Sequence, residues 1–164
     1  MDGRLRRELG KAYDYHLGIK TLLVNDQMSF FDRIDYWFGD IGNMTFIQLR
    51  VGEFLEIYQF KETDTESRQH KFIKLVGILS HVAEAQSHVW LAVQYLGELG
   101  TIHPTLCCRR YFLNPFPDEA GRALLPLPMV GRASHSHLIN QNWSSQNGRG
   151  AEIYLHNKFL FTAI

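Results

Sequence analysis

The sequence predicts a small, mainly β fold: a twisted β-barrel with one or two N-terminal helices packed on it. Three observations point there. Residues 72–82 and 89–96 are apolar runs rich in Val, Ile, Phe, Trp and Tyr, the side chains that suit a pleated, half-buried surface. The polar break between them, Ala83–His88, has the length and polarity of a hairpin connection. Further short apolar runs follow one another between Gly- and Pro-containing turns along the rest of the chain. A long hairpin with two apolar faces must be covered on both, which places it at the centre of a small barrel. Gly77, in the middle of the first run, marks a bulge or sharp bend.

Length and composition set the frame. A chain of 164 residues is one domain, or one domain with a terminal extension, and is long enough to bury a core. Apolar residues make up 45% and aromatic residues 13%, which excludes a disordered chain. The 17 basic and 17 acidic side chains cancel, so no global field draws the chain to nucleic acid or an anionic membrane. Any such contact needs a local patch. Cys107 and Cys108 are adjacent and badly placed to pair with each other, which fits thiols in a reducing compartment. No run reaches the ~18 apolar residues of a membrane span. The basic start lacks the apolar stretch of a secretory signal, so the nucleus or the cytoplasm is expected. The apolar ending at 159–164 suggests a piece of something larger.

Taken in order, residues 1–25 read as a weak helix or partly ordered arm. Leu5, Leu9, Ala12, Tyr13, His16 and Lys20 recur at helical spacing, interrupted by Gly10 and Gly18. The basic cluster of Arg4, Arg6, Arg7 and Lys11 reads either as a solvated helix face or as an arm for phosphates. Residues 29–38 read as a second helix. Ser29 would cap it, Asp32 lies three residues on, Phe30, Ile34, Trp37 and Phe38 form an apolar stripe, and Gly39 would close it. Tyr36 and Trp37 then face the core or, less ordinarily, a ligand.

From Met44 the pattern turns to strands. Residues 45–50 and 54–60 are expected strands joined by the turn Val51-Gly52-Glu53, with Leu55 and Ile57 on one face and Phe54, Tyr58 and Phe60 on the other. Residues 61–71 carry no large apolar side chain and read as a loop. After the central hairpin, 106–113 is a strand and 114–121 a Pro-rich loop. Pro126 and Pro128 confine 124–130 to an extended edge. Residues 134–139 and 151–161 are the last strands, flanking a polar loop that holds Trp143.

The order of these signals from 51 to 139 resembles the bromo-adjacent homology (BAH) domain. The counterparts of its motifs are Val51-Gly52-Glu53, the strand 72–79 around Gly77, Val89-Trp90 through Gly97-Glu98, Asn114-Pro115-Phe116, and Met129-Val130-Gly131 through His135. The resemblance implies a BAH-like or SH3-like barrel over 44–164, with 1–43 as a helical extension docked on it. It further implies a non-enzymatic, chromatin-associated interaction module that binds a histone tail or another chromatin protein and needs no cofactor. Some relatives of this kind read methyl-lysine with an aromatic cage. Trp90 and Tyr95 fall on the strand that supplies cage aromatics, and Glu98 follows it as the family's acid does. The odd spacing of the two rings puts them on opposite faces of a regular strand, which favours packing unless a bulge intervenes.

Two other chemistries can be set beside this reading. Arg109, Arg110, Arg122, Arg132 and Arg149, with Tyr111, Phe112 and Trp143 among them, form a set that would contact DNA or RNA phosphates and stack on bases; scattered surface arginines are the plainer account. His135 and His137 at i, i+2, with Cys107 or Cys108, would supply three zinc ligands if the fold brought them together. A metal-dependent or cysteine hydrolase is therefore the remaining alternative, with Glu53, Glu56, Asp118 and Glu119 as its available carboxylates. No nucleophile elbow and no Gly-rich phosphate loop accompanies them. Neither a membrane nor a small-molecule substrate is expected.

Overall fold

The computed structural model describes residues 3–20, 27–60, 68–102, 109–113, 121–130, 134–135, 138–141 and 152–156. It is mainly β, as the patterning predicts. An N-terminal helix, α1 (Gly3–Ala12), runs into a π-helical turn (Tyr13–Leu17) that ends on Gly18. The strands follow: β1 (Met28–Phe31), β2 (Arg33–Asp40), β3 (Asn43–Arg50), β4 (Phe54–Phe60), β5 (Arg68–Ala83), β6 (Gln86–Tyr95), β7 (Gly97–Ile102) and β8 (Arg109–Leu113). Then come β9 (Arg122–Pro126), the single helical turn α2 (Leu127–Val130), β10 (Ser134–His135), β11 (Leu138–Gln141) and β12 (Glu152–His156).

The β5–β6 hairpin is the centre, as its composition requires. The two strands pair along their length around a two-residue loop, Glu84-Ala85. That loop is tighter than the six-residue connection expected, because Ala83, Gln86, Ser87 and His88 all join the ladder. Between Leu75 and Gly77 the register slips, so Val76 has no partner on β6. This is the bulge that Gly77 foretold; an added Cβ there would already touch the Ala92 Cβ at 3.4 Å. β9 adds to the far side of β6, and its position at the edge is the one Pro126 permits; residues 127–130, expected to be extended, form the turn α2 instead. The other side of β5 is shared by β4, against residues 68–74, and β1, against residues 78–81. The β3–β4 turn seats between them, with the Gly52 N–H donating to the Leu75 carbonyl at 2.7 Å.

Both faces of the hairpin are covered. One face carries Ile73, Leu75, Ile78, Leu91 and Val93, which pack with Leu55 and Ile57 of β4, Ile47 and Leu49 of β3, Leu125, and Val130 of α2. The other carries Leu79, Ala83 and Trp90, which meet Leu9, Ala12 and Tyr13 of the helical segment and Leu124 of β9. Each buried Leu, Ile or Val contributes roughly 1.5–3 kcal/mol, so a ten-residue helix too short to persist alone is held by this contact. Tyr13 is the pivot of the second layer. Its ring lies 4.8 Å from Trp90, 5.3 Å from His88 and 5.4 Å from His81.

Some expectations need correction. Residues 29–38 are not a helix but β1 and β2. The apolar residues also satisfy a period of two: Ile34 and Tyr36 point inward against the core while Trp37 points out. β3 then offers eight matched positions, Arg33 opposite Arg50 through Asp40 opposite Asn43. A full ladder satisfies the backbone over that length, whereas a short helix built of aromatic and β-branched residues has weak propensity. Gly39 serves the hairpin instead of a helix end. Its φ is +130°, and a Cβ would sit 2.3 Å from the Asn43 carbonyl oxygen. The described pairings form antiparallel sheets in the order β10–β4–β5–β6–β9, β11–β12–β8–β7 and β2–β3, and none of them closes on itself. The hairpin's two apolar faces are covered by separate layers. The loop expected over 61–71 is shorter too, since β5 starts at Arg68 and 61–67 lie outside the described residues. The strand expected over 134–139 is two strands in different sheets.

Candidate interaction surface

The β2–β3 ribbon pairs with no other strand among the described residues. Its base is anchored by the inward side chains Ile34, Tyr36, Ile47 and Leu49, packed in the main core. The outward face is therefore fixed by alternation, and it holds Arg33, Asp35 and Trp37 against Arg50, Gln48 and Phe46. Trp37 and Phe46 are direct cross-strand partners with ring centroids 5.1 Å apart and planes tilted by 50°. They are 62% and 46% exposed, far more than packing aromatics. Ile41 at the tip is fully exposed, and Met44 and Phe38 are partly so. Phe38 lies on the other face of the ribbon, so the outward set is Trp37, Phe46 and Met44 with Ile41 at the tip; exposed apolar side chains gathered in this way mark an interaction site more often than a solvent face.

The charges on the outward face are mixed: Asp35 is the charged residue nearest Trp37 on its strand, and Arg33 and Arg50 lie beyond it at the far end of the ribbon. Asp35 stands two residues away on the same face, and its carboxylate lies 3.8 Å from the Arg33 guanidinium. Asp40 lies at the turn. Aromatic faces beside carboxylates attract cations: the ring quadrupole supplies ~0.5–1 kcal/mol at an exposed site and the carboxylates add direct attraction.

The residues singled out in the sequence lie elsewhere. Trp90 is completely buried in the helix-facing layer. Tyr95 is half-buried against the main core on the opposite face of β6, so the two rings share no surface. Glu98 is on β7, where its carboxylate lies 3.5 Å from the Arg109 guanidinium of β8, both largely exposed. Arg110 is its neighbour on β8, with a buried Nε. Tyr111 is buried beneath them against Phe72, with ring centroids 4.6 Å apart, and burial together with the nearby Glu98 charge raises its pKa. Arg132 and Arg149 lie outside the described residues, as do Trp143, Asp118, Glu119, His137, Cys107 and Cys108. His135 is placed on β10, opposite Leu55. Among the described residues, no group of three or more His, Cys, Asp or Glu is arranged to hold a metal ion, and no helix is long and apolar enough to cross a membrane. In the basic cluster, the Arg4 Nε donates to Glu8 at 3.1 Å, an exposed i, i+4 pair.

The helical reading of 29–38 turns Trp37 towards the core or, less ordinarily, a ligand, and the strand reading of 45–50 gives Phe46 no role of its own. The signal that finds them is the alternation of 33–38 and 44–49 about Gly39-Asp40-Ile41-Gly42-Asn43, which is a hairpin pattern. Comparison of the chain with family models, with curated proteins and with solved structures gives no match.

Proposed function

We propose that this protein is a non-enzymatic interaction module, built on a BAH-like barrel core, that binds a Lys- or Arg-rich segment of a chromatin protein such as a histone tail. The single observation that carries the reading is the exposed Trp37–Phe46 pair on an anchored ribbon, with Asp35 on the same face and Asp40 at the turn. An exposed aromatic pair next to carboxylates suits a cationic side chain, and a ribbon held by its inner face offers it from a rigid support. The chromatin setting, and with it a nuclear location, rests on the order of the BAH-like motifs from 51 to 139.

The test is binding of nucleosomes and of fluorescent histone-tail peptides to the purified chain. Trp37→Ala and Phe46→Ala are expected to weaken binding by about tenfold or more, while Trp37→Phe keeps most of it. Absence of binding by the wild type, or equal binding by Trp37→Ala, overturns the proposal.

A further inference from the structure

On the face opposite the main core, a half-open groove of about 350 Å³ runs between α1 and the β6–β9 edge. Its floor is apolar: Val76, Ala92 and Leu124 from the sheet, with Leu5 from the helix. The groove exists because the side chains there are small or displaced. Gly77 and Ala92 face each other across β5 and β6, and the bulge turns Val76 outward to 44% exposure. Bulges of this kind often re-aim a side chain beside a functional site.

The lining carries Glu8, Lys11 and Arg122. Glu8 is already engaged by Arg4. Lys11 and Arg122 are exposed, and no ion pair to either exists among the described residues. An apolar floor, with a rim whose one carboxylate is held by Arg4 and whose two cations form no ion pair among the described residues, is complementary to one chemistry: a short apolar body ending in an anion. We propose that this groove binds a small aliphatic carboxylate, with its chain on Val76, Ala92 and Leu124 and its carboxylate between Lys11 and Arg122. The volume falls at the small end of ligand sites, which suits a chain of about eight carbons. Arg122 supplies the planar fork that matches a carboxylate, and Lys11 supplies a mobile point charge. This site is separate from the Trp37–Phe46 surface and does not depend on its role.

The probe is octanoate, followed by calorimetry and by methyl NMR of Val76, Ala92 and Leu124. Saturable binding in the range of about 0.05–1 mM is expected, with shifts concentrated at those three residues. Octanol and octylamine should bind at least about tenfold more weakly, since they lack the anion. Arg122→Gln and Lys11→Gln, both surface changes, should each weaken octanoate about three- to tenfold, and Ala92→Leu should block it while circular dichroism stays unchanged. No saturation below 10 mM, equal affinity for octanol, or indifference to Arg122→Gln and Lys11→Gln together would overturn the assignment.

Discussion

The Tyr13 hydroxyl and the His81 Nδ1 lie 2.7 Å apart in a buried hydrogen bond between the N-terminal helical segment and the central strand. With the imidazole proton on Nε2, the tyrosine is the donor. This bond fixes where the helix sits on the sheet, because the apolar contacts around it, Leu9 and Ala12 on Leu79 and Trp90, have no directional preference of their own.

Tyr13→Phe keeps the ring packing and strands a buried imidazole nitrogen. We expect a loss of about 1–3 kcal/mol in urea unfolding. A double-mutant cycle with His81→Leu should show coupling of at least about 0.5 kcal/mol. Additive losses would mean that the two groups do not support each other.

Trp90 and Trp37 should separate packing from recognition. Trp90→Ala opens a cavity at the centre of the helix-facing layer and is expected to cost about 3–5 kcal/mol. Trp37→Ala removes an exposed ring and one cross-strand contact, so about 1 kcal/mol or less is expected. Similar melting shifts in the two variants would contradict these placements.

The contrast between those tryptophans shows what the sequence could convey. The central ribbon was legible because its apolar runs, its break and Gly77 agree on one answer, and the edge position of β9 followed from Pro126. The β2 segment was not, because Phe30, Ile34, Trp37 and Phe38 fit a helical stripe as well as a strand. Only the pairing partner decides between them, Phe46 for Trp37 and Leu49 for Ile34, and pairing is non-local. The same ambiguity hid the exposed aromatic pair, since a helical reading turns Trp37 inward.

The loop Glu84-Ala85 is a local weak point with a local remedy. Both residues have positive φ, +51° and +59°, as a type I′ hairpin turn requires. Side chains with a Cβ pay roughly 1 kcal/mol each in that region. The double substitution Glu84→Asn with Ala85→Gly should therefore stabilise the protein by about 0.5–2 kcal/mol in denaturant unfolding, with no change in slope. A destabilised variant would show that the turn is held by something other than its own geometry.

Tyr36 should govern part of the alkaline limit. Burial pushes its pKa up to about 12, and its hydroxyl finds no hydrogen-bond partner among the described residues. Ionisation occurs near pH 10 in the unfolded chain and only near 12 in the fold. The neutral group's contribution is thus complete below about pH 10 and is lost as pH rises towards 12, because the unfolded state releases its proton first. Tyr36→Phe should be neutral or slightly stabilising at pH 7 and should flatten the fall in stability between about pH 10 and 12. Parallel stability–pH curves for the two proteins would assign the alkaline loss to other groups, Tyr13 and Tyr111 among them, whose pKa values burial also raises.

The unpaired residue at Val76 reverses the parity of β5. Before it, the odd-numbered Ile73 and Leu75 face the main core; after it, the even-numbered Ile78 does, and Leu79 belongs to the helix. Were Val76 kept but drawn into regular pairing with β6, the two half-strands would disagree about which way is in. One half would then have to present its helix-facing set to β3 and β4, and the N-terminal segment would be left over a row of the wrong side chains. The irregularity in the ladder is what keeps both halves of the strand turned towards the same two layers.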